Sequence, residues 1–444
     1  MNKLAKRAWF AYFLAAAMLV GMLVIVVRYF VNGPDWMPFQ NDGVIVDRSG
    51  TVLMDNTQGR TLADDATVRA SMLQILGDNE GYITPYLLNE YGDELAGFNR
   101  ISGTRHMGGG EGRMTLTLSA SVQRAALNAL NGQHGTVGVY NYKTGEILCM
   151  VSSPAYDPWN VPDVEGNPEQ YNGVYVNRFL HSAYAPGSTF KLVTAAAALE
   201  RISDIEDRTF YCEGSAQIGS ETVICNGVHG TINFQQALCQ SCNVAFAQIA
   251  DELGADVLTD YADRFGITDS LSFDGFVTKS GNFDLSEATA YEAAWAGVGQ
   301  YTDQINPCQY MTFMGAIANG GQAAAPYLVD KVTFGSKTKY EAKTELEDKI
   351  LSASAADTLA EMMHYNVVNN YGEWYFSGLY AGAKSGTAER GEGLTPNALL
   401  TGFVQSENYP LAFVVVIEGG GAGSTACTPV IRQVLDACVV AMGS

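Results

Sequence analysis

Residues 177–200 read NRFLHSAYAPGSTFKLVTAAAALE. Pro186 and Gly187 are turn formers, and the run FKLVTAAAALE that follows Ser188 is apolar and alanine-rich, so a helix is predicted to open at the serine. A serine at a helix start and a lysine three residues on share one face, one turn apart. Lys191 can therefore reach the Ser188 hydroxyl and take its proton, while the helix amino end adds positive potential where an oxyanion would develop. A serine that merely caps the helix would leave the same pattern, and capping serines are common.

Working outward, residues 135–153 (GTVGVYNY, KTG, EILCMVSS) read as strand, turn, strand, and residues 154–173 as an insertion rich in Pro, Asn, Tyr and Trp. Helical runs follow at 233–254, 257–266 and 307–321. Strand patterns return at 380–389 (YAGAKSGTAE), 398–406 and 411–420 (LAFVVVIEGG), and a last helix is predicted over 428–442. Strands at both ends with helices between predict an α/β layered domain whose sheet joins amino- and carboxy-terminal strands. Before it, GVIVDRSGTVL at 43–53 reads as a hairpin turning at Ser49-Gly50, and the weakly periodic stretch to Arg113 as a small, partly irregular domain. Residues 114–132 read as a strand and then a helix that begins near Ser119 or Ser121.

Of 444 residues, 47% are hydrophobic and 16% charged, which suits a sizeable core and excludes a disordered chain. The net charge of -21 repels phosphate backbones, so nucleic acid is not an expected partner. Lys3, Lys6 and Arg7 precede an uncharged run at 8–27, AWFAYFLAAAMLVGMLVIVV, closed by Arg28. Such a run is as long as the hydrocarbon core is thick, and its positive amino end predicts a single-pass anchor with the rest of the chain outside the cytoplasm. A cleaved signal peptide is the rival, but VNGPDW at 31–36 lacks a small-x-small cleavage site. The expected division is a tail at 1–7, an anchor at 8–30, a short pedestal or linker domain at 31–115 and the main domain at 116–444.

Eight cysteines suit an extracytoplasmic chain without forming a dense framework. Cys212 and Cys225 flank a hairpin-like stretch, which makes a bridge between them plausible. Cys239 and Cys242 form a C-x-x-C that no second pair or nearby histidine pair completes, so they are expected as small buried thiols on a helix, with no metal or cofactor.

Three motifs stand in order: Ser188-Thr189-Phe190-Lys191, Ser241-Cys242-Asn243 and Lys384-Ser385-Gly386-Thr387. Each is weak alone. Ser336 to Lys339 is a second S-x-x-K, Lys143-Thr144-Gly145 a K-T-G, Ser406 to Asn408 an S-x-N, and Lys279 to Asn282 holds both K-S-G and S-x-N. Context separates them. Ser336 sits in a solvated charge cluster, Lys143 in a hairpin turn and Lys279 in a polar loop, whereas Lys384 lies in a strand of small residues that admits close approach. Ser241 and Asn243 fall inside a helical apolar pattern, a costly place unless they face a cleft; a satisfied buried pair is equally open.

Together with their flanks, these motifs resemble the penicillin-binding transpeptidases. The nucleophile region 177–200 does so, as do YNYKTGEILCMVSSPAYDPWN upstream, HGTINFQQALCQSCNVAFAQIA downstream and GVGQYTDQINPCQYMTFMGAIANGG before the last motif. GVIVDRSGTVL and GRMTLTLSASVQRAAL are similar to the pedestal and entry segments of the class B, monofunctional members. The resemblance implies a penicillin-binding transpeptidase or serine β-lactamase-like α/β (α+β) fold. It implies a D,D-transpeptidase that cross-links peptidoglycan stem peptides ending in D-Ala-D-Ala and is acylated by β-lactams. By it, Ser188 is the nucleophile, Lys191 the base, Ser241 the proton relay and Lys384 its electrostatic partner. Asn243 would hold the donor amide, Ser385, Gly386 and Thr387 the substrate carboxylate, and the amides of Ser188 and Thr387 the oxyanion. A membrane glycan polymerase is the partner the family implies. A D,D-carboxypeptidase or β-lactamase, and a non-catalytic scaffold or β-lactam sensor, are the alternatives. Departures are the short segment 39–113, Lys-Ser-Gly in place of Lys-Thr-Gly, and Ala398-Leu399-Leu400 where many members carry an aromatic residue.

Overall fold

The computed structural model describes residues 3–31, 43–99, 104–105 and 110–443. Leu411–Ile417 (LAFVVVI) and Gly135–Asn141 are buried at every position, the pattern of strands covered on both faces. They lie at the middle of a five-stranded antiparallel sheet. Its order runs Ala381–Ala388, Asn397–Val404, Leu411–Ile417, Gly135–Asn141, Ile147–Ser153, so the two ends of the main domain meet in one sheet, as predicted. Ala381–Ala388 is the edge strand on the side of the carboxy-terminal strands.

Each face of the sheet is sealed by helices with apolar stripes. Val122, Ala126 and Leu130 of helix Ala120–Leu130 pack with Val430, Ile431, Val434 and Leu435 of helix Thr428–Gly443 on one side. Helices Lys191–Arg201, Asn243–Arg264 and Pro307–Ala318 fill the other. A buried Leu removes roughly 2 kcal/mol of apolar surface cost, so these layers are what hold the site's elements in register.

A second, six-stranded sheet runs Lys337–Glu341, Val329–Phe334, Gly112–Leu116, Gly43–Val46, Val52–Asp55, Thr61–Leu62. The expected pedestal segment ends at 115, yet two strands from 329–341 complete this sheet, with Val332 opposite Met114. The two segments thus share a sheet that a linear division at 115 splits. The predicted hairpin turns at Ser49-Gly50, where Gly50 has φ 90°. One Asp47 oxygen accepts from Ser49 N, Ser49 Oγ and Thr51 N, and the other accepts from Ala120 N at 2.9 Å. That carboxylate welds the hairpin to the helix start, where Ser119 is the N-cap.

The amino-terminal helix Lys3–Val31 contains a stretch, Ala5–Val24, long and apolar enough to cross a membrane and exposed along its length among the described residues. Gly423–Gly443 is also long and apolar enough to span, but its apolar side is packed into the core. The linker at 32–42 lies outside the described residues.

Candidate active site

Ser188 sits in a 3-10 turn, Gly187–Thr189, that runs directly into helix Lys191–Arg201. Gly187 has φ 53°, and a Cβ there would come within 2.6 Å of Thr387 O; a Cβ at Gly386 would come within 2.5 Å of Pro186 O. Only glycines let the nucleophile turn lie flush against the edge strand. The expected i, i+3 geometry holds: Lys191 Nζ donates to Ser188 Oγ at 3.0 Å.

The helical pattern around Ser241 hides a break. Helices Phe234–Cys239 and Asn243–Arg264 are separate, and Ser241 between them has φ 55°, a strained value for a side chain with a Cβ. The turn presents Ser241 and Asn243 to Lys191, whose Nζ meets Ser241 O at 2.8 Å, Ser241 Oγ at 3.1 Å and Asn243 Oδ1 at 2.7 Å. Lys384 Nζ approaches from the edge strand, 3.1 Å from Ser241 Oγ and 2.8 Å from Ser385 O. Both lysines are sealed from solvent, at 0% and 1% exposure. Burial, and then the charge of Lys384, hold Lys191 well below the ordinary lysine range; burial pushes Lys384 down to about 7.

These groups open on a cleft of about 1060 Å³ lined by Ser188, Ser241, Asn243, Ser385 and Thr387. Gly386 lies in the strand between the last two and is buried. The competing motifs lie elsewhere. Lys143 and Thr144 are in a turn held by Asn141 Oδ1, Ser336 joins two strands, Lys279 is exposed, and Ser406 and Asn408 bond within a surface loop. Ala398, Leu399 and Leu400 are buried in the sheet.

Sequence reading missed Tyr371. Its hydroxyl accepts from Ser385 N at 2.8 Å and donates to Ser385 Oγ at 3.0 Å, from a wide helical turn at Val367–Tyr371. Trp295, Tyr301 and Asn370 also line the cleft, and Gln300 Nε2 donates to Thr387 O at 3.1 Å. No short motif marks these residues; the wide turn is the nearest signal.

The cysteines correct the sequence reading. Cys212 and Cys225 are free thiols, not a bridge. Their hairpin does form, Ser215–Ile218 with Glu221–Ile224, but it delivers Cys225 to Cys242, with the sulfurs 3.8 Å apart. Cys239 ends one helix and Cys242 caps the next, so the C-x-x-C is not on one helix. Cys212, Cys225, His229 and Cys242 converge instead, a grouping spread over too many residues for spacing to reveal.

Residues 135–436, more than half of the chain, match the family described as the penicillin binding protein transpeptidase domain. The chain belongs to that family. This penicillin-binding protein is 28% identical over 358 residues to the peptidoglycan D,D-transpeptidase PbpA of Mycolicibacterium smegmatis, covering 74% of this chain and 72% of PbpA. It is 29% identical to stage V sporulation protein D of Bacillus subtilis, covering 72% of this chain and 52% of that protein. Relatives of this kind make it a class B penicillin-binding protein. Among solved structures, the D,D-transpeptidase domain of a peptidoglycan glycosyltransferase from Eggerthella lenta superposes with TM-score 0.77 at 27% identity, covering 91% of this chain and 99% of that one. Penicillin-binding protein A of M. tuberculosis, solved as a ceftriaxone acyl-enzyme, shares the fold at TM-score 0.77 and 22% identity, over 90% and 99% of the two chains.

Proposed function

We propose that this penicillin-binding protein is a peptidoglycan D,D-transpeptidase working through a Ser188 acyl-enzyme. The observation that carries the reading is the 3.0 Å contact between Lys191 Nζ and Ser188 Oγ inside a cleft shared with Ser241 and Lys384. Lys191, whose hold on a proton is weakened by burial and then by the charge of Lys384, takes the Ser188 proton as the oxygen attacks the penultimate D-alanine carbonyl. Ser241, bonded to both lysines, passes a proton to the departing D-alanine amine. The amides of Ser188 and Thr387 receive the oxyanion, each worth about 3 kcal/mol of transition-state stabilisation. Asn243 holds the donor amide, and Ser385, Gly386 and Thr387 bind the substrate carboxylate beside the positive Lys384. An amine of a second stem peptide then releases the acyl group.

A class A β-lactamase would need a glutamate placed to hold the deacylating water. Two glutamates border the cleft: Glu292, whose Oε2 accepts from both Thr289 N and Thr289 Oγ in a capping box, and the exposed Glu389. The amino-terminal span and the D,D-transpeptidase relatives support transfer to an amine over transfer to water.

We place the catalytic domain outside the cytoplasmic membrane. The span within Lys3–Val31 is the anchor, and Lys3, Lys6 and Arg7 support a cytoplasmic amino end. A membrane glycan polymerase is the proposed partner. The fold neighbour penicillin-binding protein 2 of Helicobacter pylori is known in complex with MreC, which supports assembly with cell-wall proteins as a property of such chains.

Labelling the detergent-purified full chain with fluorescent penicillin, wild type beside Ser188→Ala, tests the reading. A Ser188-dependent label lasting many minutes, and cross-linked product from D-Ala-D-Ala donors with an amine acceptor, are expected. Rapid loss of label would make the protein a lactamase, and label on Ser188→Ala would remove the nucleophile assignment.

A further inference from the structure

Behind the catalytic turn, four side chains from four places in the chain come together. Strand Thr209–Cys212 pairs with Gly230–Asn233, so that Cys212 lies opposite Gly230, just past His229. The intervening hairpin returns the chain to Cys225, and Cys242 caps helix Asn243–Arg264. One ligand atom from each of Cys212, Cys225, His229 and Cys242 lies within 4.8 Å of all the others.

The two spacings around Cys225 match edges of a tetrahedron around a metal. Zinc holds thiolate sulfur at about 2.3 Å and imidazole nitrogen at about 2.0–2.1 Å, which sets the edges at about 3.8 Å for S···S and about 3.6 Å for S···N. Cys225 Sγ is 3.8 Å from Cys242 Sγ and 3.6 Å from His229 Nδ1. A disulfide would require about 2.05 Å. The surroundings also fit thiolates: Asn243 N donates to Cys225 Sγ at 3.2 Å and Ala245 N to Cys242 Sγ at 3.5 Å. Cys212 and Cys242 are fully buried.

We propose that Cys212, Cys225, His229 and Cys242 form a closed Cys3His zinc site that fixes the Ser241-Cys242-Asn243 turn. On binding, the three thiols release their protons to solvent as the Zn–S bonds form, and no oxidant or reductant is involved. One ligand stands between Ser241 and Asn243, and another accepts the Asn243 N–H. The ion therefore clamps the strained turn that presents both residues to Lys191. These four ligands are positioning residues. Binding of the ion is independent of the transpeptidase reading; its coupling to acylation rests on that reading.

The test uses the full chain purified in detergent under reducing conditions. Elemental analysis should find about one zinc per chain. After chelation, Co²⁺ should give thiolate-to-cobalt charge-transfer and intense tetrahedral d–d bands. Cys225→Ser and His229→Ala should each weaken zinc binding by more than tenfold, while Cys239→Ser, outside the quartet, retains the ion. Chelated wild type should be acylated by fluorescent penicillin several-fold more slowly and recover with added Zn²⁺. Absence of zinc and of tetrahedral cobalt bands, or an intact mass showing a bridge among Cys212, Cys225 and Cys242, would overturn the site. Unchanged acylation after chelation would overturn the clamp alone. Zinc binding in a protein that penicillin never acylates would sink the transpeptidase reading and leave the site standing.

Discussion

Lys191 and Lys384 direct their ammonium groups at one hydroxyl: Ser241 Oγ lies 3.1 Å from each Nζ. Burial lowers the pKa of both, and the charge of Lys384 lowers Lys191 further. If Lys191 accepts a proton while Lys384 must stay positive for the substrate carboxylate, the rate of penicillin acylation is bell-shaped in pH. It rises as Lys191 loses its proton and falls as Lys384 loses its charge, above about 7. Lys384→Arg keeps the charge and should remove the descending limb from a stopped-flow acylation profile. A descending limb that persists would mean another group causes it.

The same burial has a stability cost. A lysine whose folded pKa is depressed leaves the unfolded chain binding more protons, so stability rises with pH up to the unfolded value near 10.5. Lys384→Met should therefore stabilise the fold by roughly 2 kcal/mol at pH 7 while nearly abolishing acylation. Its advantage should shrink by pH 10, where the unfolded lysine also loses its proton. Melting curves at the two pH values decide it; an advantage that grows with pH has the wrong sign for this cause.

Tyr371→Phe removes one oxygen that serves both the amide and the hydroxyl of Ser385. Leaving Ser385 N unpaired should cost about 1–2 kcal/mol of stability. Acylation efficiency should fall about tenfold, chiefly in the binding term, because Ser385 loses its fixed orientation. An unchanged concentration dependence for penicillins would show that Ser385 is held by other means.

Asp47→Ala strips four hydrogen bonds from one buried carboxylate, including the link to Ala120 N. A loss of about 2–4 kcal/mol is expected, with acylation by the remaining folded protein unchanged since Asp47 is remote from the cleft lining. Denaturant melts beside penicillin labelling of the native fraction would check both halves.

Much of the architecture was legible in the chain. Runs such as LAFVVVI are apolar without alternation, so both faces had to be covered, and their placement at both ends of the main segment predicted one shared sheet. Less legible was the break at Ser241. Its flanks, ALCQ and NVAFAQIA, keep helical periodicity on either side, and nothing in residue type announces φ 55° at a serine. The amino-terminal sheet was read only in part, because strands Val329–Phe334 and Lys337–Glu341 reach it from more than 200 residues away from Gly112–Leu116.

By itself the sequence determined the Ser188–Lys191 pair, since the pitch of a helix places residues three apart on one face whatever surrounds them. Tertiary structure alone decided that Ser241, Lys384 and Tyr371 join that pair, and that Cys212, Cys225, His229 and Cys242 meet behind it. Those encounters span 50 residues from Lys191 to Ser241 and 143 from Ser241 to Lys384. Over such separations contact is set by sheet order, strand register and the packing of helices on the sheet, none of which is a local property of the residues that touch.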